Sequence, residues 1–215
     1  MSLRLYFHPL SSFCQKALVA LYETGAPFER EIVDLGNEAS RVAFLKIWPI
    51  GKFPVLRDET RDRLIPESSI IIEYLAQHYP GKSTLVPADP DGARQMRLRD
   101  RFFDLYVNTP VGKIVTDRLR PAGKGDSHGV EEARKLLGIA LGMIDRDAEK
   151  STWIMGDAFT MADCAAAPAL FYANMVLPFT DSHRNLAGYF HRLMQRPSVA
   201  RVVKEAQPYL KMMPQ

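Results

Sequence analysis

Between Pro80 and Asp91 the chain gathers three prolines and a glycine, and the periodicity of its apolar residues changes there. Before this point, runs that alternate every second residue are interleaved with runs spaced three and four apart. After it only the helical spacing remains. Proline has no amide hydrogen for a ladder or a helix interior, so such a cluster marks a connection rather than an element. The expectation is an α/β unit at residues 1–80, a linker at 81–92 and an all-α helical unit at 93–215. A chain of 215 residues is long enough to give both units a real core.

Within the first unit, Leu3 to Phe7 reads as a buried strand, and Ser12 to Thr24 as a helix closed by Gly25 with Pro27 beyond. Phe28 to Val33 reads as a second strand and Ala39 to Ile47 as a short helix ended by Pro49. Pro54 to Arg57 and Arg63 to Ile65 pair around the polar turn Asp58 to Asp62. Glu67 to His78 is a helix with Ile70, Ile71, Tyr74 and Leu75 on its apolar face. The order is β-α-β-α-β-β-α. In the second unit the helices expected are Ala93 to Val107, Val111 to Leu119, Val130 to Lys150, His183 to Gln195 and Ser198 to Ala206. Pro110 bends or ends the first of them, and Pro121 to Gly129 is a Gly-rich loop. Thr160-Met161-Ala162-Asp163 is a capping box with Phe159 and Cys164 at its staple positions, which assigns Cys164 to the core.

Composition narrows the functional classes. The net charge is only +3, and the densest basic stretch (Arg94, Arg97, Arg99, Arg101) is interleaved with Asp100 and Asp104. That pattern is a solvated helix face, not a nucleic-acid surface. Cys14 and Cys164 make no disulfide framework, which points to a reducing compartment. No apolar run approaches a bilayer span, and the run after Arg4 is too short for a signal-peptide core. The expectation is a cytoplasmic protein with no nucleic-acid or membrane partner.

Three places could carry chemistry. Ser12 with Gln15 makes a capping box, leaving Ser11 outside the helix to aim its hydroxyl at a ligand. Cys14 then falls at the second helical position, where the helix dipole favours a thiolate; the competing reading buries it. Phe53-Pro54 heads an edge strand, where a cis bond would turn the Phe53 backbone groups outward to pair with a peptide; cis and trans are both open. Glu67-Ser68 opens a helix whose free N–H groups suit a carboxylate, with Glu67 available to a ligand ammonium; simple capping is the alternative.

With these motifs assembled, the chain resembles a cytosolic glutathione transferase over essentially its whole length. The resemblance rests on Ser-x-x-Cys at Ser11 to Cys14, Gly-Lys-Phe-Pro-x-Leu at Gly51 to Leu56, Glu67-Ser68, and the capping motif from Gly156 to Asp163. It implies a thioredoxin-like first domain, a helical second domain, glutathione as cosubstrate with no metal, a homodimer, a role in detoxification, and an electrophile pocket between the domains. Ser11 matches the activating serine of theta-, zeta- and tau-like members. Phe53 beside Pro54 would pair with the cysteinyl backbone of glutathione, Glu67 and Ser68 would hold its γ-glutamyl end, and Lys52 would reach its glycine carboxylate. Phe13, Tyr106 and Val107 are the residues expected around the electrophile.

The chain also departs from the pattern. Phe53 stands where members often place a small branched residue, and Ser12 where tau-like members have proline. Omega-like members carry cysteine where Ser11 stands, so the serine argues for conjugation over thiol transfer, while Cys14 keeps reduction of disulfides or dehydroascorbate in view. A zeta-like glutathione-dependent isomerase and a non-catalytic dimeric binding module complete the alternatives.

Overall fold

A computed structural model of the protein describes residues 2–214; the chain ends assigned to the outer limits of the two units, Met1 and Gln215, lie outside the described residues. Four strands, β1 (Leu3–Phe7), β2 (Phe28–Ile32), β3 (Val55–Asp58) and β4 (Arg63–Pro66), form one sheet in the order β2-β1-β3-β4. β1 runs parallel to β2 and antiparallel to β3, and β3 pairs antiparallel with β4. The parallel pair needs a crossover, and α1 (Ser12–Thr24) supplies it, ended by Gly25 at φ 70°.

Alternation along β1 decides what each face packs. Leu3, Leu5 and Phe7 are fully buried toward α1 and α3 (Ser68–His78), in the core that continues into the helical unit. The opposite face carries Tyr6 into a small second cluster of Val33, Phe44 and Val55, covered by α2 (Glu38–Ile47). On α3 the buried face is Ile71, Ile72 and Leu75, and Ile70 is 53% exposed. The expected apolar face is thus rotated by one residue, because the helix packs through positions one and four after Ile71 and leaves Ile70, Glu73 and Gln77 outward.

The second unit is helical: α4 (Pro90–Phe102), a π-helical turn (Phe103–Asn108), α5 (Thr109–Asp117), α6 (Ser127–Asp147), α7 (Met161–Val176), α8 (Arg184–Gln195), α9 (Pro197–Ala206) and a terminal 3₁₀ segment (Gln207–Met212). One isolated β-bridge, Trp153 with Gly156, is the exception that the helical periodicity did not announce. The single long helix expected through Val107 is instead α4 followed by the π turn, with α5 resuming just before Pro110.

α7 sits at the centre. Its capping box is formed: the Asp163 carboxylate accepts from the N–H of Thr160 at 2.8 Å and of Ile154 at 3.0 Å, and from the Tyr189 hydroxyl at 2.7 Å. Phe159 and Cys164 are both buried at the staple. Ala165, Ala166, Ala167, Ala169 and Ala173 give the helix a thin buried surface, which packs against α1.

The connection between the units is packed rather than loose. Leu85 is buried, and its carbonyl accepts the Met161 N–H at 2.9 Å. Ser83 Oγ donates to Glu23 at 2.7 Å, and Gly81 lies so close to the Thr24 carbonyl that a Cβ would stand 2.1 Å from its oxygen.

Candidate active site

The first element of the site is the start of α1. Ser11, not Ser12, is the N-cap: its φ and ψ are −74° and 119°, and its Oγ accepts the Cys14 N–H at 3.3 Å. Ser12 is therefore the first helical residue and Cys14 the third. Gln15 does not complete a capping box, because its carboxamide donates to the Pro9 carbonyl at 2.8 Å and to Tyr172 Oη at 3.0 Å. Tyr172 in turn donates to the Leu10 carbonyl at 2.8 Å, so α7 holds the loop from which Ser11 projects. A hydroxyl that accepts an N–H still keeps its own proton to donate.

Cys14 is fully buried, and burial pushes its thiol up to about 12; hydrogen bonding from Ser11 and from the His8 N–H opposes this only in part. Desolvation outweighs the helix-dipole effect expected for this position, and Cys14 is a neutral thiol at physiological pH.

Next to this helix start lies a cleft of about 160 Å³ lined by Phe13, Trp48, Lys52, Phe53, Pro54, Glu67 and Ser68. The structure thus brings together all five residues expected to hold glutathione, although they come from the β3 approach and from α3. The Phe53-Pro54 bond is cis, and the Phe53 N–H has no partner among the described residues. The Phe53 ring stacks on His8, with centroids 6.1 Å apart, and packs with Phe44 and Val55 below the sheet. Glu67 caps α3 with φ 70° and ψ 121°, outside the regions open to most side chains, and its carboxylate makes no capping bond. Ser68 is buried at the first helical position. Lys52 and Glu67 are exposed, one cation and one anion bordering the same cleft.

On the other side of Phe13 opens a second cavity of about 210 Å³, mainly apolar. It is bounded by Leu10, Ser11, Ser12 and Phe13 from the first unit, and by Asn108, Val111, Gly112, Val115, Tyr172 and Met213 from the second. Of the three residues expected around an electrophile, Phe13 lines both cavities. Val107 is completely buried in the core, and Tyr106 lies in a separate groove with Phe102, Leu136, Ile139 and Met143. The π turn is the physical reason. Its extra residue per turn rotates the chain, so that Asn108 and not Val107 or Tyr106 reaches the cavity beside Ser11. Asn108, Val111 and Val115 recur at helical spacing, which is the sequence signal that would have located this wall. Trp48 and Met213 had no such signal.

Among the described residues no group of three or more His, Cys, Asp or Glu side chains is placed to hold a metal ion, and no helix is long and apolar enough to cross a membrane.

Comparison with known proteins agrees with this fold. Residues 5–83 match the glutathione S-transferase N-terminal domain and residues 104–197 the glutathione S-transferase C-terminal domain. The glutathione S-transferase GstB of Escherichia coli strain K12 is 27% identical over 198 residues, which cover 90% of this chain and 93% of that protein. A glutathione S-transferase of Methylobacillus flagellatus, solved with glutathione bound, superposes with a TM-score of 0.85 at 26% identity, covering 94% of this chain and 98% of that one. One from Methylobacterium radiotolerans, in complex with glutathione sulfonate, gives 0.82 at 29% identity, with 94% of each chain covered. With a thioredoxin-like first domain, a helical second domain and both domain models matched in order, this chain belongs to the cytosolic glutathione transferase superfamily.

Proposed function

We propose that the protein conjugates the thiolate of glutathione to electrophilic small molecules, with Ser11 as the activating residue. The observation that carries this reading is the position of Ser11 at the N-terminus of α1, on the wall of an apolar cavity that shares Phe13 with a polar cleft. Glutathione is a zwitterionic tripeptide, and the cleft offers complementary groups. Glu67 suits its ammonium, the N-terminal amides of α3 with Ser68 suit the γ-glutamyl carboxylate, Lys52 suits the glycine carboxylate, and the unpaired Phe53 N–H suits the cysteinyl carbonyl. The thiol then faces Ser11. A hydroxyl proton donated to sulfur, together with the positive end of α1, favours the charged form of the thiol. Each pKa unit removed corresponds to about 1.4 kcal/mol of preference for the thiolate.

The electrophile occupies the apolar cavity, so the residue 1–80 unit binds glutathione, the residue 93–215 unit supplies most of the wall facing it, and 81–92 connects them. The same reading includes a cytoplasmic, detoxifying homodimer; the exposed apolar side chains Leu136, Ile139 and Met143 on α6 support association. The buried, neutral Cys14 speaks against reduction through that thiol.

The test is the ultraviolet thiolate absorbance of bound glutathione titrated against pH. In the wild type the bound thiol ionises well below the free value. Ser11→Ala returns it toward that value and lowers kcat about 10- to 100-fold. Ionisation unchanged by Ser11→Ala would remove Ser11 from the mechanism, and failure to bind glutathione would leave the non-catalytic module.

A further inference from the structure

The turn that carries Ser11 leaves the carbonyls of Pro9 and Leu10 without a main-chain N–H partner among the described residues. One pair of buried side chains takes both. Gln15, 2% exposed, donates through Nε2 to the Pro9 carbonyl at 2.8 Å and to Tyr172 Oη at 3.0 Å. Tyr172, 5% exposed, passes its own proton on to the Leu10 carbonyl at 2.8 Å. A carboxamide nitrogen carries two protons and a phenol one, so neither group has a donor left for a ligand. Burial pushes the Tyr172 phenol up to about 12, and it keeps its proton at neutral pH. The other bonds at Ser11 are local: its N–H donates to the His8 carbonyl at 3.0 Å, and its Oγ accepts the Cys14 N–H at 3.3 Å. Tyr172 belongs to α7 and the turn to the sheet unit. Through this pair the helical unit reaches the backbone on which the serine stands.

We infer that Gln15 and Tyr172 are positioning residues for thiol activation, fixing the Pro9-Leu10-Ser11 backbone so that the Ser11 hydroxyl stays aimed at the glutathione sulfur; this rests on the conjugation reading above. Neither side chain touches the sulfur. Their effect passes through Ser11, whose hydroxyl donates to sulfur while the thiol proton leaves to solvent. Such a bond weakens steeply when its distance or angle is lost, so the direction of the turn governs its worth. Without the Tyr172 hydroxyl, the Leu10 carbonyl is released from α7 and Gln15 loses one of its two acceptors. The serine then spends part of its time turned away, and the thiolate loses part of its stabilisation. The polar cleft is built from Trp48, Lys52, Phe53, Glu67 and Ser68, with neither Gln15 nor Tyr172 in its lining. Affinity for glutathione and ionisation of its thiol are therefore separable.

The test needs glutathione alone, with no electrophile. Tyr172→Phe keeps the ring and removes only the hydroxyl, and Gln15→Met keeps the length of the side chain without its donors. In each variant the thiol of bound glutathione, followed by ultraviolet thiolate absorbance, ionises about one pH unit higher than in the wild type. The Kd for glutathione stays within about twofold. In a Ser11→Ala background neither substitution moves the ionisation further, because the group they aim is gone. A merely structural loosening of the fold would not be silenced in that way. Wild-type ionisation in both variants, shifts that add to that of Ser11→Ala, or a Kd weakened about tenfold would each overturn this inference and leave the conjugation reading standing. A wild type that binds no glutathione, or ionisation unchanged by Ser11→Ala, removes activation by Ser11 and this inference with it.

Discussion

Glu67 holds a conformation that side chains avoid, and it does so at the edge of the polar cleft beside α1. With φ at 70° and ψ at 121° it lies outside even the left-handed helical region, and strain of this kind costs about 1–3 kcal/mol. Glycine would adopt the same angles without steric penalty, giving back about 0.5–1 kcal/mol through its larger loss of chain entropy on folding. Stability and binding should therefore move in opposite directions at this residue. Glu67→Gly is expected to raise the stability read from urea unfolding by about 1 kcal/mol while raising KM for glutathione about tenfold. Glu67→Gln keeps the strain and removes the charge; it should share the rise in KM with little change in stability. A Glu67→Gly protein with unaltered KM would show that the carboxylate does not face the ligand.

At the scale of elements, one buried cluster joins the helices that bracket the site. Lys16 of α1, 1% exposed, places its ammonium 2.6 Å from Asp100 of α4, 2.9 Å from Asp104 of the π turn and 2.8 Å from Ser69 of α3. Ser69 also donates to Asp100 at 2.7 Å. Burial raises the Asp104 carboxyl, and Lys16 opposes that rise. Removing Lys16 leaves the buried Asp100 carboxylate with Ser69 as its partner, and Asp104 with only the longer contact to the exposed Arg101 at 3.2 Å. Lys16→Met should therefore cost about 3–5 kcal/mol in chemical denaturation. Adding Asp100→Asn and Asp104→Asn should recover most of that loss; a triple variant no more stable than the single one would mean that packing, not charge, is at stake. None of this cluster was legible beforehand. Periodicity and end signals outlined β1 and α1 to the residue, because Gly25, Pro27 and the alternation from Leu3 to Phe7 are local statements. Lys16 and Asp100 are 84 positions apart, and no local pattern pairs them. For the same reason the choice between Ser11 and Ser12 as cap fell wrong. It was decided by Tyr172, which draws Gln15 away from the capping box. The polar cleft was readable because its motifs are short and contiguous, whereas the helical spacing of Asn108, Val111 and Val115 locates the cavity wall only once the fold shows which face of that helix meets α1.

For the whole molecule, Glu23 at the end of α1 fastens the sheet unit to the far end of the helical one. Its carboxylate receives Arg196 at 2.7 and 2.6 Å, Ser83 at 2.7 Å and the Ser198 hydroxyl. Burial opposes its ionisation, but these partners outweigh it and hold the carboxyl below its ordinary 4.5. A carboxyl lowered in the folded state contributes stability that is complete above the unfolded value and fades as pH falls through the folded one. Glu23→Gln should thus melt below the wild type at neutral pH, and the gap between their Tm values should narrow as the solution is acidified below about 4.5. A gap independent of pH would assign the loss to shape alone. The connection that runs beside Glu23 carries a further consequence. Gly81 against the Thr24 carbonyl and Ser83 on Glu23 make this segment part of the joint it spans. The two halves of the chain are then poor candidates for free exchange with the halves of distant relatives. A hybrid would need its helix end, its connecting segment and its Arg196 drawn from one parent, so descent of this chain favours inheritance of both halves together.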